Sequence, residues 1–67
     1  MKVNDKEISL AKLPQANIFA LITYLELDKA RVAIDYNGEI LNLKNHDSNV
    51  DLVESDIIEI IHFAGGG

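Results

Sequence analysis

Sixty-seven residues make one domain, and a chain of that size buries only about 60% of the surface its unfolded form exposes, so its core is thin. The absence of cysteine excludes disulfides and thiolate metal sites, while 48% hydrophobic content means that packing must hold the fold and argues against disorder. Eleven acids against six bases leave a formal charge of −5, which disfavours phosphate backbones and favours a basic or electropositive partner.

The start, Met1-Lys2-Val3-Asn4-Asp5, has no signal-peptide apolar region. No apolar run approaches the roughly 20 residues of a membrane span. The expected setting is the cytoplasm, with no membrane and no nucleic-acid partner.

Residues 1–10 read as a hairpin. Met1 and Val3 alternate with Lys2, and Ile8 and Leu10 alternate with Glu7 and Ser9. Asn4-Asp5-Lys6 between them are residue types that suit a tight turn. Residues 11–16 form a connector, interrupted by Pro14, which has no amide donor.

Asn17 offers a helix N-cap oxygen. Ile18, Leu21, Ile22 and Leu25 follow at i, i+3, i+4 and i+7, one helical stripe, with Phe19 at its edge. The expected helix covers residues 18–26. It is too short to persist alone and must lie on a sheet. No glycine marks its C-terminal end.

Arg31 to Tyr36 alternates, with Val32, Ile34 and Tyr36 on one side. Asn37-Gly38 is the strongest hairpin signal in the chain, because a type I′ turn needs positive φ at both central positions. Glu39-Ile40-Leu41 returns as a short strand. Residues 42–55 are polar and irregular, with one short helical turn expected near Asn45 to Asn49.

Asp56 opens the last strand, Ile57 to Phe63, which is apolar on both faces. Ile58 and Ile60 have core parity; Ile57, Ile61 and Phe63 share the other face with Glu59. One helix can cover only one face of a sheet. The second face therefore either carries an exposed apolar patch suited to a partner or lies under the loops at 11–16 and 42–55. The expected domain, residues 1–63, is α+β with the order β-β-α-β-β-β. Pairing the last strand with the first, in parallel and centrally, gives a ubiquitin-like β-grasp: a mixed sheet of four to five strands with one short helix on one face.

Residues 64–67 are expected to form a flexible tail, Ala64-Gly65-Gly66-Gly67. A glycine-rich chain end is ordinarily inert linker. Glycines also have no Cβ to obstruct a narrow channel, and four extended residues reach roughly 13–14 Å. No phosphate loop is present, since Gly65-Gly66-Gly67 lacks the following Lys, Ser/Thr and helix. His46 and His62 have no metal-ligand spacing and read as solvated or structural residues. No nucleophile–base set can be assembled, so an enzyme is the weakest reading.

Order, length and terminus together resemble the thiamine-biosynthesis sulfur carriers, the ThiS family of ubiquitin-like proteins. The resemblance covers essentially the whole chain. It rests on the opening Met1-Lys2-Val3-Asn4-Asp5, the short helix Asn17 to Leu25, and Val32-Ala33-Ile34-Asp35-Tyr36-Asn37-Gly38-Glu39-Ile40-Leu41. The closing Asp56-Ile57-Ile58-Glu59-Ile60 and the terminal Gly66-Gly67 complete it. Two departures stand out: Leu43-Lys44 and His46 occupy a region where the family commonly has Arg and then an aromatic residue, and Ser55 replaces the usual glycine before Asp56.

The resemblance implies a carrier rather than an enzyme. An E1-like adenylating enzyme would use ATP to activate the Gly67 carboxylate. Sulfur, from a donor such as a cysteine desulfurase relay, would then replace the AMP to give a thiocarboxylate, and thiazole synthase would consume it. No cofactor or metal is expected on the chain itself; ATP belongs to the partner. Gly65 and Gly66 would give the tail passage, and Ile57, Ile61, Phe63 and Ala64 would form the partner-binding surface. Two alternatives remain at this level: a carrier like the small subunit of molybdopterin synthase, and a ubiquitin-like binding module with an inert tail.

Overall fold

A computed structural model of the chain describes residues 1–63. The expectations placed on Ala64, Gly65, Gly66 and Gly67 lie outside the described residues. Strands β1 (Lys2–Val3) and β2 (Lys6–Glu7) form the first hairpin, followed by helix α1 (Ile18–Tyr24). Strands β3 (Val32–Tyr36) and β4 (Glu39–Leu41) form the second hairpin, and β5 (Ile57–His62) closes the sheet. The sheet order is β2-β1-β5-β3-β4. β1 runs parallel to β5, and the other pairs are antiparallel. The last strand is therefore central, as its two apolar faces require. Among the described residues no helix is long and apolar enough to cross a membrane.

The first hairpin is tighter than its apolar alternation suggests. Asn4 and Asp5 both take left-handed backbone, φ 49° and 69°, so the turn is two residues long. β2 stops at Glu7. Leu10 leaves the sheet for a 3₁₀ turn, Leu10–Lys12, because the Ser9 hydroxyl accepts from Ala11 N–H at 3.2 Å and caps it. The connector at 11–16 thus begins inside a helical turn.

Helix α1 ends at Tyr24, two residues before the expected limit. Glu26 takes the left-handed position, φ 59°. Glu26 N–H donates to Thr23 O and Leu27 N–H to Ile22 O, both at 3.0 Å. This is a Schellman closure made without glycine. Leu27 and Ile22 both pack in the core, which supplies the apolar contact that accompanies this motif.

At the other end, Asn17 Oδ1 accepts from Ala20 N–H at 2.9 Å, as the cap reading requires. Asn49 Oδ1 takes Phe19 N–H at 2.8 Å, so a loop residue caps the same helix. Val50 O accepts Ile18 N–H and Ala16 O accepts Leu52 N–H, at 3.1 and 2.8 Å. The irregular segment 42–55 is thereby tied to the helix, and its short 3₁₀ turn falls at His46–Ser48, within the expected window.

Ile18, Leu21 and Ile22 are buried against Met1, Val3, Val32, Ile34 and Ile58. Leu13, Leu43 and Leu52, from the two loops, fill the same core. Both loops therefore lie on the helix side of the sheet. Only one of the two readings of the second face survives: the loops do not cover it.

Candidate functional site

The outer face of the sheet is built by register. Residues directly opposite one another on neighbouring strands share a face. Ile61 lies opposite Ala33; Glu59 lies opposite Asp35, which in turn lies opposite Ile40; Ile57 lies opposite Lys2. Ile57, Ile61 and Phe63 are exposed at 59%, 41% and 54%, and Ile40 at 59%. By contrast Ile58, one position away on β5, is fully buried. The period of two along β5 thus sends one set of isoleucines into the core and the other into water.

Such a row of exposed side chains gains nothing for the isolated fold. Burying each large aliphatic or aromatic side chain against a partner would be worth roughly 1.5–3 kcal/mol. Among the sequence-derived partner-binding residues, the structure brings Ile57, Ile61 and Phe63 together on one face. Ile40 was not anticipated. The signal lay in its alternation with buried Leu41, but a three-residue edge strand is too short for periodicity to decide alone.

Two carboxylates sit within this apolar row. Asp35 and Glu59 are directly opposed, an arrangement that destabilises a sheet unless something compensates. Asp35 Oδ1 accepts Gly38 N–H at 2.9 Å. With Asn37, Gly38 and Ile57 they line a shallow cleft of about 360 Å³. The outer face is therefore apolar with an acidic notch, which suits a partner surface that is apolar and basic.

A polar clasp holds the start of β5 against the β3–β4 turn. Asn37 Nδ2 donates to Asp56 Oδ1 at 2.9 Å, and Asn37 Oδ1 accepts from Ile57 N–H at 2.8 Å. The other Asp56 oxygen accepts Val53 N–H at 2.9 Å. Burial pushes the Asp56 carboxyl up, but hydrogen bonds from Asn37, the Val53 amide and Tyr36 outweigh it, so the net shift is downward. Tyr36 is pushed up, first by burial and then by the charges of Asp56 and Asp51. Asn37 has φ 50° and Gly38 φ 95°, the type I′ geometry expected of Asn-Gly. Nothing lies within 4 Å of a Cβ built at Gly38, so conformation rather than space demands glycine there.

The far end of β5 carries the tail. Phe63 N–H donates to Arg31 O at 3.0 Å, one bond beyond the strand proper. Asn4 Oδ1 accepts Ile60 N–H at 2.7 Å, so the first hairpin also braces this strand. Gly65, Gly66 and Gly67, the expected passage and reaction residues, and Ala64 fall beyond the described residues. His46 stands beside Phe19, with ring centroids 6.4 Å apart, and His62 lies opposite Val32. Among the described residues no group of three or more His, Cys, Asp or Glu side chains is placed to hold a metal ion.

One short helix held against a five-stranded mixed sheet, with a parallel β1–β5 pair inside it, defines the chain as a ubiquitin-like β-grasp protein. The ThiS family model matches residues 1–67, and the chain belongs to the ThiS family. It is similar to a Bacillus subtilis (strain 168) protein named Sulfur carrier protein ThiS, at 33% identity over 67 residues covering 100% of this chain and 98% of that one. No solved structure matches the chain.

Proposed function

We propose that this protein is a sulfur carrier for the thiazole ring of thiamine, working as a protein co-substrate rather than as an enzyme. The full-length similarity to a protein named as a sulfur carrier is the observation that carries this reading. A carboxylate is a poor electrophile. In the proposed sequence an E1-like adenylating enzyme joins the Gly67 carboxylate to the α-phosphate of ATP and releases pyrophosphate. The product is an acyl-adenylate. A persulfide sulfur, relayed from a donor such as a cysteine desulfurase, attacks the acyl carbon and AMP leaves with the bonding electron pair; a second thiol then cleaves the S–S bond of the resulting acyl disulfide, forming a disulfide with the donor and releasing the thiocarboxylate. Thiazole synthase then takes the sulfur.

The chain's own contribution is delivery. Its outer sheet face, through Ile57, Ile61 and Phe63 with Ile40 beside them, gives the enzyme an apolar grip on the strand that leads into the tail. Ala64 extends that grip. Gly65 and Gly66 let the end enter a close-fitting channel without Cβ atoms, and Gly67 bears the reacting carboxylate. ATP is bound by the partner.

The test is intact-mass measurement after incubation with ATP, a sulfur source and the adenylating enzyme. Exchange of one oxygen for sulfur, localised to Gly67, is the expected result, and deletion of Gly67 should abolish it while leaving the fold unchanged. No exchange with an enzyme shown to be active on another carrier would overturn the reading. Loss of the protein should create a thiamine requirement; a molybdenum-cofactor requirement instead would assign the sulfur to the other pathway.

A further inference from the structure

The helix side of the molecule carries a second surface that differs in chemistry from the sheet face. Phe19 of α1, Asp28, Lys29 and Ala30 before β3, and Leu43, Lys44 and His46 of the long loop line an open cleft of about 390 Å³. Lys29 Nζ lies 4.0 Å from the centroid of the half-buried Phe19 ring, a cation–π contact that holds the ammonium over the cleft. The His46 ring meets the same phenyl at a tilt of 51°.

The cleft has one carboxylate, and it is engaged. Asp28 Oδ1 accepts Ala30 N–H at 2.9 Å, and Asp28 Oδ2 pairs with Arg31 at 3.5 Å. Neither Lys29 nor Lys44 forms a salt bridge among the described residues. A chain with net charge −5 thus gathers two of its six bases and a histidine around one aromatic ring, with no unpaired acid lining the cleft.

The backbone around the cleft narrows what can bind. A tight phosphate site needs convergent N–H donors. Here Phe19 N–H is taken by Asn49, Ala30 N–H by Asp28, Lys44 N–H by Asn42 and Asp47 N–H by Asn45. The amides of three lining residues, Phe19, Ala30 and Lys44, are thus engaged within the protein, and the cleft's main features are side-chain charge and an aromatic face. These match carboxylates spaced along an extended, acidic protein segment better than one small, densely charged anion.

The position supplies the second part of the argument. Lys29 and Ala30 directly precede Arg31, whose carbonyl receives Phe63 N–H. Part of the cleft therefore lies next in sequence to the residue that pairs with Phe63, the last described residue. A partner that takes in the tail brings its own surface near that residue. We propose that the Phe19–Lys29–Lys44–His46 cleft docks an acidic segment of the protein that receives the tail, so that the carrier is gripped from both sides of its sheet. This rests on the sulfur-carrier reading for the identity of that protein, but the chemistry of the cleft can be tested without it.

The test has two arms. In the first, the isotope-labelled protein is titrated with an octaglutamate peptide and, separately, with inorganic triphosphate, while amide shifts are followed. The peptide should move Phe19, Lys29, Ala30, Lys44 and His46 saturably, leave Ile57 and Ile61 in place, and lose its effect in the double variant Lys29→Glu/Lys44→Glu. In the second arm, the same variant should raise the adenylating enzyme's KM for the carrier about tenfold, with kcat unchanged. All substituted side chains are exposed, so the variant should fold. Tighter binding of triphosphate than of peptide, or shifts spread over every lysine, would overturn the proposal. An unchanged KM would overturn it as well. If the wild-type carrier is never charged, the sulfur-carrier reading fails, and the peptide titration alone then decides the cleft.

Discussion

Asn37 and Asp56, nineteen residues apart in sequence, are joined by a 2.9 Å hydrogen bond that fixes the β3–β4 turn to the residue just before β5. Asn37 fills three needs at once. It tolerates left-handed backbone, donates to a buried carboxylate and accepts from Ile57 N–H. Asn37→Gly keeps only the first and should cost about 1–2 kcal/mol; Asn37→Ala loses all three and should cost about 2–4 kcal/mol. Urea unfolding midpoints measure the difference between the two variants.

The same clasp sets an acid limit. The folded Asp56 carboxyl titrates below its ordinary value of 3.8. Its stabilising contribution is therefore complete above that pH and declines as pH falls through the lowered folded value. Stability measured from about pH 6 down to about pH 2 should show this limb. Asp56→Asn should be less stable near neutrality and should lose the part of the acid limb that Asp56 contributes.

At the opposite end of the pH range, the Met1 α-ammonium is held by Glu7 at 2.9 Å, Ile8 O at 3.1 Å and Glu54 at 3.4 Å. The Glu7 hydrogen bond raises its pKa above the ordinary 8.0; burial opposes this, and Glu54 adds to the rise. This contribution is complete below pH 8.0 and is lost as pH climbs through the raised folded value. Chemical acetylation of the amine should lower the melting temperature at neutral pH and flatten the alkaline limb. Glu7→Gln/Glu54→Gln should weaken the same limb.

Glu26 occupies a conformation that L-residues avoid, φ 59°, at the end of α1. Its side chain is exposed. Glu26→Gly should therefore stabilise the fold by up to about 1 kcal/mol, despite glycine's greater freedom in the unfolded chain. A higher denaturation midpoint with an unchanged slope is the expected result; a lower midpoint would mean that the Schellman closure carries no strain.

The outer face separates folding from recognition. Ile61→Asp and Phe63→Asp alter exposed positions and should shift stability by no more than about 1 kcal/mol, yet weaken engagement by the adenylating enzyme about 10- to 100-fold. Ile58→Ala, on the buried side of the same strand, should cost about 2–5 kcal/mol. Thermal melts alongside the charging assay distinguish the two classes.

Local chemistry by itself determined much of this protein. Asn17 before a 3.6-residue stripe specified the helix start, Asn37-Gly38 specified its turn, and the two-sided apolar pattern of Ile57 to Phe63 required a central strand. Each is an interaction between near neighbours, so it is written in adjacent residues. Only the tertiary structure decided that the second face of β5 stays in water rather than under the loops, because that depended on where Leu13, Leu43 and Leu52 settle. Only it joined Asn37 to Asp56, Asn49 to the helix start, and Lys29, Lys44 and His46 around Phe19. Those contacts link segments far apart in the chain, and no local periodicity encodes them.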